Sequence, residues 1–151
     1  MTTASQVDIK AILDDYCIAW NNHDVEKLVS FYTDDGIYEK VWMEQIVKGK
    51  AELTAEFNLT FSAIPDFKLQ WPSYFIGGNM ASFEWIMTGT HQGDFPDLPA
   101  TGKPIFQRGS AIVEMRGNKI ARHTNYMDGF TFLQKLGALE APIQTPRSSN
   151  L

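Results

Sequence analysis

Two short glycine turns, each between two long strand-like segments, constrain the fold more than any other feature of the chain. The turns are Gly77-Gly78-Asn79 and Arg116-Gly117-Asn118, and the flanking segments cover residues 67–76, 80–91, 105–115 and 119–128. A glycine-rich turn between two extended segments is typical of a β-hairpin. Two consecutive hairpins predict an antiparallel, twisted sheet over the second half of the chain.

The first half of the chain shows helical periodicity instead. Apolar residues recur three and four positions apart along residues 9–20, which predicts an amphipathic helix. Asp24 is suited to cap a second, shorter helix, which Thr33-Asp34-Asp35-Gly36 would end in a turn. A strand over about residues 37–43 and a helix over about residues 50–62 follow. Helices before a long meander predict an α+β fold, with the helices packed on one face of a curved sheet.

The length and charge of the chain limit its domain count and its partners. A chain of 151 residues is expected to form one domain, assigned to residues 1–140. Residues 141–151, with Pro142, Pro146 and a Ser-Ser-Asn run, are expected to form a flexible tail. The net charge of −5 and the scattered lysines and arginines disfavour nucleic acid and membrane surfaces as partners. We therefore expect a small, mostly apolar ligand.

Cysteine usage and hydrophobic runs predict the compartment. Cys17 is the single cysteine, has no partner for an intramolecular disulfide, and is expected to be a core thiol in a reducing compartment. No run of signal-peptide type precedes the first predicted helix, and no stretch approaches transmembrane length. We expect a cytoplasmic protein.

Residues 122–128 read Arg-His-Thr-Asn-Tyr-Met-Asp and form the strongest candidate for a functional strand. Such a polar strand is poorly suited to a core, so it lies either on the surface or in the wall of a pocket. The apolar helix predicted over residues 130–136 favours the pocket, because this helix could cover the sheet and close one end of a cavity.

Alternation along this strand divides its side chains between two faces. Strict alternation places Arg122, Thr124, Tyr126 and Asp128 on one face and His123, Asn125 and Met127 on the other. The pattern alone leaves open which face points inward. A bulge near the strand end would bring Asn125 beside Asp128.

Several polar residues elsewhere in the chain have more than one interpretation. His91 enters a loop over residues 92–103, where it would either bind a ligand or anchor the loop. Arg108 and Glu84 lie within otherwise apolar strands, where they would pair across the sheet, contribute to a dimer contact or line the pocket. The three histidines lack the spacing of metal ligands, so no metal site is predicted.

Aromatic residues are numerous enough to form both a core and a pocket wall. They are Tyr16, Trp20, Phe31, Tyr32, Trp42, Phe57, Phe61 and Trp85. Their spacing is typical of a core, and the same residues would also enclose a flat polycyclic or aromatic ligand.

An ordered series of short motifs between Val7 and Gly137 resembles one protein family. The motifs are Trp20-Asn21-Asn22-His23-Asp24, Phe31-Tyr32-Thr33-Asp34-Asp35-Gly36, Pro65-Asp66, Thr88-Gly89-Thr90-His91-Gln92-Gly93, Thr101-Gly102-Lys103, Gly117-Asn118-Lys119-Ile120, Asp128 and Leu133-Gln134-Lys135-Leu136-Gly137. In this order they are similar to the SnoaL-like proteins, the polyketide cyclase or ester cyclase branch of the nuclear-transport-factor-two-like superfamily. The resemblance implies a cone-shaped barrel, in which a curved antiparallel or mixed sheet wraps around N-terminal helices and an apolar pocket. It also implies a homodimer formed through the sheet.

The same resemblance implies a set of site residues. Characterised cyclases of this family use an aspartate at the end of the last strand as general acid/base in an aldol ring closure, without a metal or organic cofactor, and Asp128 matches it. A carboxylate near an apolar wall would have a raised pKa suited to this role. The alternative for Asp128 is an N-cap of the following helix. His123 is the second catalytic candidate, and the substrate-binding candidates are Tyr16, Trp20, Tyr32, Trp42, Phe57, Phe61, His91, Arg108, Asn125 and Tyr126.

Two sister families fit the sequence less well. Ketosteroid isomerase needs a tyrosine on the first helix, which Tyr16 matches, and an aspartate base at the position where this chain has Lys40. Limonene-epoxide hydrolase uses an Arg-x-Asp pair on the strand before the loop, where this chain reads Ser82-Phe83-Glu84-Trp85-Ile86-Met87.

The leading hypothesis is therefore a cofactor-free lyase or isomerase of cyclase type that acts on a small cyclic or aromatic ester or ketone. Its rival is a small-molecule binding protein that has the same pocket without the chemistry, because one fold hosts many functions.

Overall fold

The computed structural model describes residues 8–139, so the predicted tail lies outside the described residues. The α-helices are α1 (Ile9–Asn21), α2 (Val25–Ser30), α3 (Lys50–Ala63) and α4 (Gly129–Lys135), with a 3-10 turn over Val41–Met43. The strands are β1 (Tyr32–Lys40), β2 (Gln45–Lys48), β3 (Lys68–Gly77), β4 (Met80–Thr90), β5 (Pro104–Arg116) and β6 (Lys119–Met127). Within residues 8–139, no helix is both long and apolar enough to cross a membrane.

The six strands form one mixed sheet in the order β2-β1-β6-β5-β4-β3. The last four strands of the chain pair as consecutive antiparallel neighbours, which confirms both predicted hairpins. β1 pairs with β6 in parallel and with β2 in antiparallel orientation. The predicted α+β fold, with helices before a long meander, is confirmed.

The chain between α2 and α3 differs from the prediction. Residues 33–36, expected to form a turn, belong to β1, whose pairing with β6 shifts in register between Tyr32 and Ile37. β1 ends at Lys40 rather than near residue 43, and the four-residue β2 was absent from the prediction. Residues 33–36 form a bulge within β1, because the five steps from Tyr32 to Ile37 face only the two steps from Ile120 to Arg122. The turn preference of these residues is therefore accommodated inside the strand.

The helices pack on one face of the sheet and bury an aromatic core. Buried Leu13, Tyr16 and Trp20 confirm the apolar face predicted for α1, and Leu53 and Phe57 of α3 are buried against the same core. Each aromatic side chain in such a core removes roughly 150–250 Å² of surface from water, which makes these residues a main source of core stability.

Two aspartates begin helices at the predicted positions. The Lys27 N–H donates to Oδ1 of Asp24 across 3.0 Å at the start of α2, which confirms the predicted cap. The Thr131 N–H donates to Oδ1 of Asp128 across 3.0 Å at the start of α4. α4 therefore begins immediately after β6, where it closes over one end of the inner sheet face.

Candidate active site

A cavity of about 620 Å³ lies between the helices and the inner face of the sheet. Its wall is mainly aromatic and includes Trp20, Tyr38, Trp42, Trp71, Phe83 and Trp85. α4 and the loop over residues 92–103 also contribute to the lining. A cavity of this volume accommodates a drug-sized ligand, and its apolar wall suits a ring system.

The inward face of β6 supplies the polar part of this cavity. His123, Asn125 and Met127 line the cavity. The face of β6 that bears these three residues therefore points inward. Parallel pairing aligns His123 with Tyr38 of β1 and Asn125 with Lys40. Both β1 residues also line the cavity. On the outer face of the same strands, Arg122 pairs with Glu39.

A chain of buried hydrogen bonds orients His123. The hydroxyl oxygens of Tyr32 and Tyr16 are 2.6 Å apart, and the Tyr16 oxygen lies 3.1 Å from Nδ1 of His123. On the other side of the ring, Nε2 lies 3.2 Å from Oδ1 of Asn125. Because the amide oxygen only accepts, Nε2–H donates to Asn125, and Nδ1 accepts from the Tyr16 hydroxyl.

Burial determines the protonation states along this chain. Removal from water lowers the pKa of His123 to about 4, although the hydrogen bond with Asn125 opposes the shift. Burial likewise raises the pKa of the Tyr16 and Tyr32 hydroxyls. At neutral pH the imidazole is therefore uncharged, and both tyrosines keep their protons.

Several buried N–H groups in residues of the cavity wall have no hydrogen-bond partner within residues 8–139. They are Nδ2 of Asn125 and the indole nitrogens of Trp20, Trp71 and Trp85. Buried donors are nearly always satisfied in folded proteins, by protein groups, water or ligand. A carbonyl or hydroxyl oxygen of a bound ligand is one group that would satisfy such a donor.

A buried ion pair between Lys40 of β1 and Glu56 of α3 completes the polar part of the wall. Their side chains are 16% and 9% exposed. Sequence reasoning missed Glu56, although a signal existed, because a carboxylate on the apolar face of α3 between Leu53 and Phe57 needs a partner. Within residues 8–139, no three histidine, cysteine, aspartate or glutamate side chains come together as metal ligands would.

The predicted aromatic residues fall into two groups. Trp20 and Trp42 line the cavity. Tyr16, Tyr32 and Phe57 are fully buried core residues outside the lining. Phe61 is also outside the lining and stacks on His23 with ring centroids 4.3 Å apart. Core burial, the ordinary interpretation of their spacing, describes Tyr16, Tyr32 and Phe57, and Phe61 is partly buried against that core.

His91 makes the contacts of a loop anchor. It is fully buried, its Nδ1 lies 3.0 Å from the hydroxyl oxygen of Thr101, and its ring stacks on Phe95. Backbone hydrogen bonds also join it to Gly102 and Lys103 across the base of the loop. Phe95 lines the cavity whereas His91 does not, so His91 positions the loop that bears Phe95.

Asp128 is not brought into the cavity. Its side chain is exposed, and both carboxylate oxygens accept hydrogen bonds from Thr131. These bonds, from the hydroxyl and the backbone N–H, lower the pKa of Asp128, where the sequence analysis expected a raised one. A bulge near the strand end, which would bring Asn125 beside Asp128, is absent, because β5 and β6 stay in register from Arg122 to Met127. The structure thus corrects the expected environment of Asp128.

Arg108 and Tyr126 lie on the outer face of the sheet with Asp128. These three residues and Glu84 border a shallow depression there, on the side opposite the cavity. Arg108 and Glu84 form no ion pair within residues 8–139. Of the ten predicted substrate-binding residues, the cavity wall contains Trp20, Trp42 and Asn125.

Comparison with known proteins yields one family and a set of similar folds. The family described as SnoaL-like polyketide cyclase matches residues 10–136. AclR from Streptomyces galilaeus is 21% identical, with a TM-score of 0.76 over 91% of this chain and 89% of that one. TsrD from Streptomyces laurentii is 19% identical, with a TM-score of 0.76 over 87% of this chain and 96% of that one.

A protein with a ketosteroid isomerase-like fold from Catenulispora acidiphila, solved in complex with trimethylamine, is 16% identical. Its TM-score is 0.73 over 85% of this chain and 93% of that one. At such identities these likenesses show a shared fold. No curated protein matches the sequence.

Proposed function

Because the chain belongs to the SnoaL-like polyketide cyclase family, we propose that its cavity binds a small cyclic or aromatic ketone or ester. We further propose that the protein catalyses a proton-transfer reaction of cyclase or isomerase type on this ligand. Such a reaction forms an enolate next to a carbonyl and moves only protons and electron pairs. The proposed reaction therefore needs no redox cofactor.

Asn125 supports this function most directly. Its Oδ1 accepts from Nε2–H of His123, so its amide nitrogen, which has no partner within residues 8–139, is held in a defined orientation. A prearranged N–H donor stabilises the negative charge that develops on a carbonyl oxygen during enolate formation. The surrounding aromatic wall lowers the local dielectric and strengthens that interaction.

His123 acts in this proposal as a positioning residue. Both of its nitrogens already have partners, the Tyr16 hydroxyl at Nδ1 and the Asn125 amide oxygen at Nε2. A neutral imidazole in this arrangement orients Asn125 without exchanging a proton with the ligand. The inward residues of β6 support the proposed chemistry better than Asp128, whose carboxylate is exposed and bonded to Thr131.

A binding experiment followed by a substitution tests this function. We expect cyclic ketones and polycyclic aromatic esters to raise the melting temperature, because a ligand at 100 times its Kd stabilises by about 2.7 kcal/mol. Asn125→Ala is expected to weaken binding and abolish turnover, whereas Asn118→Ala in an exposed turn should change neither. Binding with unchanged affinity in Asn125→Ala, or an absence of ligands in every class, would contradict the proposal.

Turnover separates the enzyme from the alternative, a binding protein with the same cavity. The alternative is favoured by His123, because both of its ring nitrogens are hydrogen-bonded within the protein and it exchanges no proton with the ligand. Ligand binding without chemical change in any bound compound would support it.

We also propose that two copies of the chain associate through the outer sheet face. Phe106, Ile112 and Tyr126 are 54%, 38% and 42% exposed on this face. Glu84 and Arg108, of opposite charge, lie among them without pairing to each other. A two-fold axis would bring Arg108 of one copy near Glu84 of the other, as a self-complementary interface requires.

A further inference from the structure

The ion pair of Lys40 and Glu56 lies where a ligand in the cavity would meet it. Both residues line the cavity, and they belong to different elements, β1 and α3. Burial of two charges costs solvation free energy that their attraction repays only in part, so such a pair contributes little to stability. A role in the chemistry of the cavity accounts for its position better than a structural role does.

The ion pair is also next to the amide of Asn125. Lys40 and Asn125 occupy paired positions of the parallel β1–β6 ladder, and their side chains point to the same face. Neighbouring strands lie about 4.8 Å apart, so side chains at paired positions on one face are within reach of one ligand oxygen. The wall therefore combines two N–H donors with one carboxylate.

We infer that Glu56 is the base that takes a proton from the ligand, while Lys40 and Asn125 bind the oxygen of the adjacent carbonyl. This inference rests on the proposed function. It names a substrate class, cyclic or aromatic compounds with an acidic C–H next to a carbonyl group. Oε1 of Glu56 accepts from Lys40, and no hydrogen bond within residues 8–139 occupies Oε2.

The proton-transfer step is balanced within these groups. The C–H bond at the α-carbon breaks, its proton moves to Oε2 of Glu56, and its electron pair forms the enolate. The negative charge on the enolate oxygen is stabilised by Nζ–H of Lys40 and Nδ2–H of Asn125. Return of this proton from Glu56 to another carbon of the enolate completes an isomerisation and regenerates the carboxylate. Alternatively, attack of the enolate carbon on a second carbonyl closes a ring, and Glu56 returns the proton to the new alkoxide.

The other titratable groups of the wall are unsuited to this step. Within residues 8–139, the titratable side chains that line the cavity are Tyr38, Lys40, Glu56 and His123. Burial raises the pKa of Tyr38 well above its usual value, so the phenol remains protonated. Both nitrogens of His123 have partners, and Lys40 is paired as a cation. Glu56 is the one carboxylate in this described part of the wall.

Exchange of α-protons with deuterated water tests the inference without knowledge of the natural product. The probes are 1-tetralone and 2-tetralone, bicyclic aromatic ketones, observed by proton NMR with and without protein. We expect the wild-type protein to accelerate exchange, and Glu56→Gln to lose roughly 100-fold or more of that acceleration. Glu56→Asp should retain part of it, because the carboxylate remains with altered reach. Glu52→Gln, one turn earlier on the exposed face of α3, is the matched control.

Binding of the same ketones is followed separately by quenching of the tryptophans that line the cavity. If Glu56→Gln fails to fold, Lys40→Met combined with Glu56→Gln removes both buried charges and tests the same loss of exchange. Exchange at the wild-type rate in a folded, ketone-binding Glu56→Gln variant overturns the inference. Wild-type binding without exchange also overturns it but leaves the binding part of the proposed function intact, whereas an absence of binding overturns both.

Discussion

The hydroxyl oxygen of Tyr16 lies 3.1 Å from Nδ1 of His123, which joins the first helix to the last strand beside the cavity. This bond selects the neutral tautomer that donates from Nε2 to Asn125. The orientation of the Asn125 amide in the cavity wall therefore depends on a residue 109 positions earlier in the chain. Stability and ligand binding should both respond to changes along this connection.

Acid should destabilise the protein through His123. Burial holds the pKa of His123 at about 4 in the folded state, whereas the ordinary value is 6.5. Because the folded value is lower, the unfolded chain binds a proton first as the pH falls. The contribution of the neutral ring is complete above about pH 6.5, and up to about 3 kcal/mol is lost as the pH drops toward 4.

Urea unfolding between about pH 7 and pH 4 measures this loss. His123→Gln should show a shallower dependence on pH, because its side chain does not titrate. Asn118→Gln, in an exposed turn, changes no titratable group, so it serves as the control and should keep the wild-type slope. If the unfolding free energy of His123→Gln depends on pH as steeply as that of the wild type, the loss of stability in acid does not originate from His123.

Removal of the tyrosine hydroxyls should reveal coupling within the hydrogen-bonded chain. Tyr16→Phe deprives both His123 and Tyr32 of a partner and is expected to cost about 1–3 kcal/mol of unfolding free energy. Tyr32→Phe should cost less, because the Tyr16 hydroxyl still donates to His123. A double-mutant cycle in urea is expected to give a coupling free energy of at least about 0.5 kcal/mol between the two hydroxyls. Strictly additive losses of unfolding free energy would argue against the hydrogen-bonded connection.

Asp128 should matter for stability rather than turnover. Asp128→Ala removes the cap of α4 and should cost about 1 kcal/mol, whereas Asp128→Asn retains an oxygen acceptor and should cost a few tenths. Chemical unfolding measures both variants, and turnover of any confirmed substrate is expected to survive in each. Loss of turnover in a stable Asp128→Asn variant would restore the acid/base role that the family resemblance implies.

Gly109 should not tolerate a side chain. A Cβ at this position would overlap the Trp85 ring and lie 2.6 Å from the carbonyl oxygen of Tyr126. Gly109→Ala is expected to cost about 1–3 kcal/mol and to weaken ligand binding, because Trp85 must move within the cavity wall. Gly77→Ala is the control, since a Cβ at that position would have no heavy atom within 4 Å beyond its chain neighbours. Thermal unfolding and ligand titration measure both variants. Equal melting temperatures and equal ligand affinities for the two would contradict the packing described for Trp85.

Reversal of one charge on the outer sheet face should weaken self-association. Arg108→Glu places two like charges on the proposed two-fold interface and is expected to shift sedimentation velocity toward the monomer. Lys27→Glu makes the same change in charge on α2, away from this face, and should leave the oligomeric state unchanged. A wild-type protein that sediments as a monomer at all concentrations would refute the proposed interface.

The elements that sequence alone predicted are those formed by neighbouring residues. These elements are the helices α1 and α3, the two hairpins and the cap at Asp24. Each depends on contacts between residues that are a few positions to a few tens of positions apart, so each leaves a local pattern in the sequence. The polar composition of β6 does not suit a core, and together with the apolar helix that follows it favours a cavity wall over a solvated face. Residues 33–36 show the limit, since their turn preference is local, whereas the pairing with β6 that makes them a bulge within β1 leaves no local pattern.

The candidate site was only partly predictable for the same reason. Alternation separated His123 and Asn125 from Asp128, yet their inward direction follows from how β6 pairs with β1 and β5 and from the helices packed on that face. Lys40 stands where ketosteroid isomerase has its aspartate base, but its partner Glu56 is on another element and leaves no local motif with it. The sequence by itself determined which elements form and where polar residues interrupt them. Only the tertiary structure decided which of those residues share one cavity, because burial depends on packing between segments far apart in the chain.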